Sequence, residues 1–182
     1  PSNKVIKGEF GACLMSSPNL VAECVLEIKK SCDLPVSIKT RLGLGYEEDL
    51  NLLFDLINET RDAGCKKYFI HARNAILNGL SPKKNRKIPK LRYQDALFVK
   101  KKYNDIELYL NGGLEDIQSI QNNISIFDGV MIGRKIYDDP MFLTTIESTI
   151  FDNKNNISRE DIINQYLRYA EPLFRKGISG YL

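Results

Sequence analysis

Four short apolar runs, each closed by a polar or glycine-bearing end and separated by helix-length amphipathic stretches, limit the folds open to this chain. The runs are residues 35–39 (Pro-Val-Ser-Ile-Lys), 67–71 (Lys-Tyr-Phe-Ile-His), 106–110 (Ile-Glu-Leu-Tyr-Leu) and 129–132 (Gly-Val-Met-Ile). Residues 19–31 carry Leu20, Val21, Val25 and Ile28 at helical spacing, and residues 47–62 carry Leu50, Leu53, Phe54 and Ile57. Further helices are predicted near 93–103, near 114–122 and from 137 to 151. Strands alternating with helices specify an α/β fold with a parallel sheet and right-handed crossovers. Ligands of such sheets bind at the strands' C-terminal ends. Here those ends carry Lys39, His71, Asn111-Gly112-Gly113 and Gly133-Arg134.

A closed eight-stranded α/β barrel typically needs about 250 residues, and this chain has 182. Pro1-Ser2 opens without a strand before it. Both ends read as cut, and the chain is expected to be a piece of a longer protein. The polar stretch 152–156 reads as a linker. Beyond it Ser158, with Asp161 three residues on, marks a helix N-terminus leading into residues 162–170. That helix is expected to begin a second, helical domain.

The net charge of +3 neither demands nor excludes a nucleic-acid partner. The four cysteines show no C-x-x-C pair and no neighbouring histidine at ligand spacing. Reduced thiols in a cytoplasmic protein are expected, with no metal and no disulfide framework. No apolar run approaches the roughly 20 residues that span a bilayer, so no membrane association is expected.

Phosphate binding is the chemistry these residues support best. Glycines after a strand let the backbone approach an anion closely, and Gly133-Arg134 adds N–H groups and a cation with bidentate geometry. Each glycine motif alone reads as a tight turn, and their recurrence on consecutive strand ends favours phosphate. Lys39, ending an apolar strand, must project into a wet or anionic cavity or lie at a solvent-facing terminus. His71, the one histidine, ends an apolar strand beside Arg73. Residues 83–92 hold six basic side chains and no acidic one, namely Lys83, Lys84, Arg86, Lys87, Lys90 and Arg92. Such a loop either neutralises nucleic-acid phosphates or is simply solvated.

Taken together, several motifs resemble the tRNA-dihydrouridine synthases. They are Gly8-Glu9-Phe10-Gly11-Ala12-Cys13-Leu14-Met15, Lys39-Thr40-Arg41-Leu42-Gly43, His71-Ala72-Arg73, the Gly79 to Arg86 segment (GLSPKKNR), Asn111-Gly112-Gly113, and Asp128 to Arg134 (DGVMIGR). Their order and spacing match from Pro1 to about Phe151. The segment from Ser81 to Arg86 is most similar to the bacterial subfamily that acts on the tRNA D-loop.

The resemblance implies the C-terminal half of a TIM (β/α)8 barrel plus the start of an all-helical domain. Residues 1–151 would be the FMN-binding barrel portion, and 158–182 the beginning of a tRNA-binding domain. The activity implied is NADPH-linked, FMN-dependent reduction of uridine to dihydrouridine in tRNA. Lys39 would meet the flavin ring and His71 would contact the FMN. Asn111, Gly112, Gly113, Gly133 and Arg134 would hold its ribityl-phosphate end, and Lys83, Lys84 and Arg86 would contact tRNA. The family's proton-donating cysteine would fall immediately before Pro1, so no catalytic residue is expected in the chain, and Cys13 does not take that role. Two alternatives remain at this level: an FMN barrel acting on a small metabolite, similar to dihydroorotate dehydrogenases, or a non-catalytic RNA-binding remnant.

Overall fold

The computed structural model describes residues 7–153 and 157–177. The Pro1-Ser2 opening, residues 154–156 of the expected linker and the chain beyond 177 lie outside the described residues. The chain divides into two compact units, Pro1–Gly133 and Arg134–Leu182.

In the first unit, a 3-10 turn (Gly11–Ser16) leads into α1 (Pro18–Ser31), followed by β1 (Ser37–Arg41), α2 (Asn51–Asp62), β2 (Lys67–His71), α3 (Tyr93–Lys102), β3 (Glu107–Asn111), α4 (Ile117–Ile124) and β4 (Gly129–Met131). The four strands form one parallel sheet in the order β1-β2-β3-β4. Sequential order is the arrangement of a barrel wall. A doubly wound sheet would reverse its strand order at a switch point.

Side chains alternate across the sheet, and its two faces differ sharply. Thr40, Tyr68, Ile70, Leu108 and Leu110 are buried beneath the helices, against Val25, Leu53, Leu56, Ile57, Ala96 and Val99. Tyr68 satisfies its hydroxyl there with Thr60 Oγ1 at 2.8 Å. The opposite face is only partly covered and carries Lys39, Phe69 and Tyr109 in one row and Arg41, His71, Asn111 and Met131 in the next. Phe69 and Tyr109 stack with ring centroids 4.8 Å apart. At the N-terminal end of the strands Lys67 pairs with Glu107 at 3.2 Å.

The second unit holds α5 (Arg134–Asp138), α6 (Phe142–Ile150) and α7 (Arg159–Arg175). The single helix expected over 137–151 is therefore two. Pro140 lies between them: it has no N–H for a helical hydrogen bond, and its ring disfavours helical geometry in the residue before it. α7 starts at a complete capping box. Ser158 Oγ accepts from the Asp161 backbone N–H at 3.1 Å, and the Asp161 carboxylate accepts from the Ser158 N–H at 3.0 Å. The Ser158 hydroxyl, and then the Ser158 N–H, donate to the Asp161 carboxylate and hold it below its ordinary pKa.

Candidate functional site

Two strands end later than the sequence pattern suggests, β1 by two residues and β3 by one. β1 runs to Arg41 and β3 to Asn111, so Arg41, His71, Asn111 and Met131 form one register row across the sheet. Lys39 sits one row below, on the same face. Its ammonium donates to Asn111 Oδ1 at 2.8 Å, spanning β2. Partial burial, and then the Arg41 guanidinium, push the Lys39 pKa down.

Asn111 ties the row to the neighbouring strand, because its Nδ2 donates to the Met131 carbonyl at 2.7 Å. The Asn111 carbonyl in turn accepts from the Ala72 N–H at 2.9 Å. Gly112 and Gly113 follow with φ of +108° and +69°, a region open to glycine at little cost. A Cβ on Gly112 would stand 2.6 Å from His71 Cδ2, and one on Gly113 would stand 2.5 Å from Leu91 Cδ1. The Tyr93 hydroxyl donates to the Gly112 carbonyl at 2.5 Å. In a planar trans peptide the Gly113 N–H then points the opposite way from that carbonyl.

Gly133 is exposed, and a Cβ there would meet nothing within 4 Å. Arg134 is the first residue of α5 and falls in the second unit. Lys39, His71, Asn111, Gly112 and Gly113 are thus gathered on the C-terminal side of the sheet, and Gly133 follows β4 two residues on. Arg134 adjoins Gly133 along the chain.

The basic stretch divides in two. Lys83, Lys84 and Arg86 are exposed, on and beside a 3-10 turn (Lys84–Arg86) in the long loop between β2 and α3. Arg92 is buried instead. It pairs with Asp95 and donates to Asn74 Oδ1 at 2.9 Å and to the Glu48 carbonyl at 2.7 Å, so it braces the fold.

The loop is held from beneath by Asn85, Arg41 and Arg73, whose carbonyl partners the sequence does not show. Asn85 is fully buried. Its Oδ1 accepts from the Ile76 N–H at 2.8 Å, and its Nδ2 donates to the Ile76 and Leu80 carbonyls at 2.8 and 3.2 Å. Arg41 donates to the Asn74 and Asn85 carbonyls at 3.2 and 3.3 Å, and Arg73 donates to the Lys87 and Pro89 carbonyls. Burial, with Arg73 and Arg86 close by, pushes the Arg41 pKa down to about 10. Three guanidinium groups thus share this end of β1 and β2, a concentration of positive charge that favours an anion. An Asn or Arg whose partners are carbonyls of distant residues leaves no periodic trace in a sequence; the i,i+3 pair Arg92–Asp95 is the one legible signal.

These residues suit a flavin mononucleotide. Lysine and arginine supply cationic groups on an open face, and two positive-φ glycines bring bare backbone to a strand end. Among the described residues no group of His, Cys, Asp and Glu side chains could hold a metal ion, and no helix is long and apolar enough to cross a membrane.

Comparison with known proteins gives the family. A model of the dihydrouridine synthase (Dus) family matches residues 1–178. The chain is 40% identical to a tRNA-dihydrouridine(20/20a) synthase of Synechocystis sp., over 97% of the chain and 53% of that protein. It is 38% identical to the Vibrio vulnificus protein of the same name, over 97% of the chain and 55% of the relative. For the Pseudomonas aeruginosa protein the figures are 38%, 94% and 52%. The chain spans about half the length of these relatives.

Proposed function

The chain belongs to the dihydrouridine synthase family, and from that premise we propose that the whole protein reduces uridine to dihydrouridine in the D-loop of tRNA. FMN is the bound cofactor, NADPH the reductant and the cytoplasm the setting. The observation that carries this reading is the shared face on which Lys39, His71 and Asn111-Gly112-Gly113 meet at the strand ends.

FMN, when bound, supplies the two-electron reduction of the uracil C5–C6 double bond. Lys39 would lie toward the flavin ring, where its charge would offset the negative charge of a reduced flavin. His71 would contact the cofactor, and the backbone at Gly112, Gly113 and Gly133, with Arg134 next along the chain, would hold its ribityl-phosphate end. Tyr93 fixes the orientation of the Gly112 peptide. Lys83, Lys84 and Arg86 neutralise phosphates of the tRNA, whose target base leaves its stack to be reached. No residue of this chain is proposed as the proton donor. The exposed basic turn favours tRNA over a small metabolite, which would not need it.

The test incubates the whole protein with FMN, NADPH and unmodified tRNA and measures dihydrouridine by mass spectrometry of the digested RNA. Formation of dihydrouridine together with retention of a yellow flavin is the expected result. Flavin retention without tRNA reduction would point to the small-molecule reading. RNA binding without flavin would point to a binding module.

A further inference from the structure

The Lys39–Asn111 hydrogen bond joins β1 to β3 across the whole width of β2. Strands two apart are separated by about 9.5 Å, so the extended lysine must lean toward β3 to close a 2.8 Å contact. Both ends of the Asn111 amide are committed. The Met131 carbonyl can only accept, so Nδ2 must face it at 2.7 Å, and this leaves Oδ1 directed at the Lys39 ammonium. The asparagine is therefore a fork with one orientation, anchored on β4 and aimed at β1.

We propose that Asn111 is a positioning residue, which aims the Lys39 ammonium and influences the cofactor through that lysine rather than by gripping the ribityl-phosphate. The purpose of the lysine rests on the FMN reading above; the pairing rests on this chain's own geometry. An acceptor on Nζ favours the charged amine, opposing the partial burial and the neighbouring Arg41 that drive its pKa down. Asn111 thus opposes the surroundings that lower the Lys39 pKa.

The test uses the whole protein, first without flavin, with trace acetic anhydride as the probe. Acetylation of Lys39 is read by mass spectrometry against the other lysines. Asn111→Ala is expected to speed modification at Lys39 about three- to tenfold, the scale of one partly screened charge-assisted hydrogen bond. Asn111→Asp loses the Nδ2 anchor on Met131, but its carboxylate adds a negative charge beside Nζ that holds the proton, so it is expected to slow modification below wild type. Opposite signs from one position mark a role exerted on Lys39. Equal rates in all three proteins, or a shift of the same sign in both variants, would overturn it. If Asn111→Ala does not fold, Asn111→Asp decides alone: slower supports the proposal, and equal or faster overturns it.

A second arm reads the flavin midpoint potential of the loaded protein. Lys39→Ala and Asn111→Ala should both make it more negative, and Asn111→Ala should add nothing in the Lys39→Ala background. An undiminished Asn111→Ala shift in that background would overturn action through the lysine. Failure of the FMN reading looks different: wild-type protein binds no FMN while Lys39 acetylation still responds with opposite signs, and the positioning role then stands without the cofactor.

Discussion

Gly112 and His71 are packed so closely that a single methyl group cannot be placed between them. A Cβ on Gly112 would lie 2.6 Å from His71 Cδ2 and 2.9 Å from its Nε2, and the φ of +108° disfavours any side chain there in its own right. Gly112→Ala is expected to destabilise the whole protein by about 1–3 kcal/mol and to release FMN by displacing the histidine or the glycine loop. Urea unfolding and flavin absorbance of the purified variant check both effects. Wild-type stability with full flavin occupancy would show that the loop tolerates the strain and is not a cofactor contact.

Arg134 opens α5 directly after the bare backbone of Gly133. If the guanidinium meets the FMN phosphate, Arg134→Ala removes one charge-assisted hydrogen bond, worth about 1.5–3 kcal/mol, or roughly ten- to hundredfold in Kd. Fluorescence titration of the stripped protein with FMN measures this. An unchanged Kd would remove Arg134 from the phosphate site.

The strands were legible because a buried face leaves a pattern of apolar residues, and β2 occupies the residues 67–71 that its composition picks out. The ends of β1 and β3 were less legible, since Arg41 and Asn111 are polar and apolar runs cannot show that they still pair. The opposite face of the sheet carries lysine, arginine, histidine and asparagine, whose meaning depends on partners one or two strands away. Arg92 shows the same limit, because it reads as part of a basic run yet is buried against Asp95 and Asn74. Tyr93, whose hydroxyl reaches Gly112 across 19 residues of chain, left no sign. Pro140 splits the helix expected over 137–151 in the ordinary way.

The exposed turn at Lys83, Lys84 and Arg86 should be a salt-sensitive part of tRNA binding. Replacing all three by alanine is expected to weaken binding and to reduce the log–log salt slope by about 0.7–0.9 for each phosphate left unneutralised. Filter binding of tRNA from low to moderate salt measures the slope, and FMN titration should give the wild-type Kd. An unaltered slope would return the turn to ordinary solvated surface.

The capping box of α7 makes its start pH-sensitive. Asp161 has a depressed pKa because the Ser158 side chain and backbone donate to its carboxylate. A depressed folded-state pKa means that the box contributes above the ordinary aspartate value of about 3.9 and is lost as pH falls through the lower, folded value. Carbon-detected NMR titration should place the Asp161 midpoint below 3.9. Ser158→Ala should move it back toward that value, and a wild-type midpoint at or above the ordinary value would rule the box out in solution.

These 182 residues expressed alone are expected not to form dihydrouridine in tRNA. Among the described residues, β1 and β4 each pair on one side only, so the sheet offers two open edges, a known route to association. The face bearing Lys39, Phe69, His71 and Tyr109 is only partly covered, whereas a barrel interior is filled by facing side chains. Phe69 and Tyr109 stacked on an open face favour self-association over a stable monomer. On the proposed reading no residue of the isolated chain serves as the general acid, a contribution of about 10²–10⁴-fold in rate. The assay supplies FMN, NADPH and unmodified tRNA to the isolated chain and to the whole protein at equal concentration. Size-exclusion chromatography runs alongside, to separate an aggregated chain from a folded inactive one. Turnover by the isolated chain at the rate of the whole protein would refute the external proton donor and bring Cys13, partly exposed ahead of α1, back into consideration as the acid.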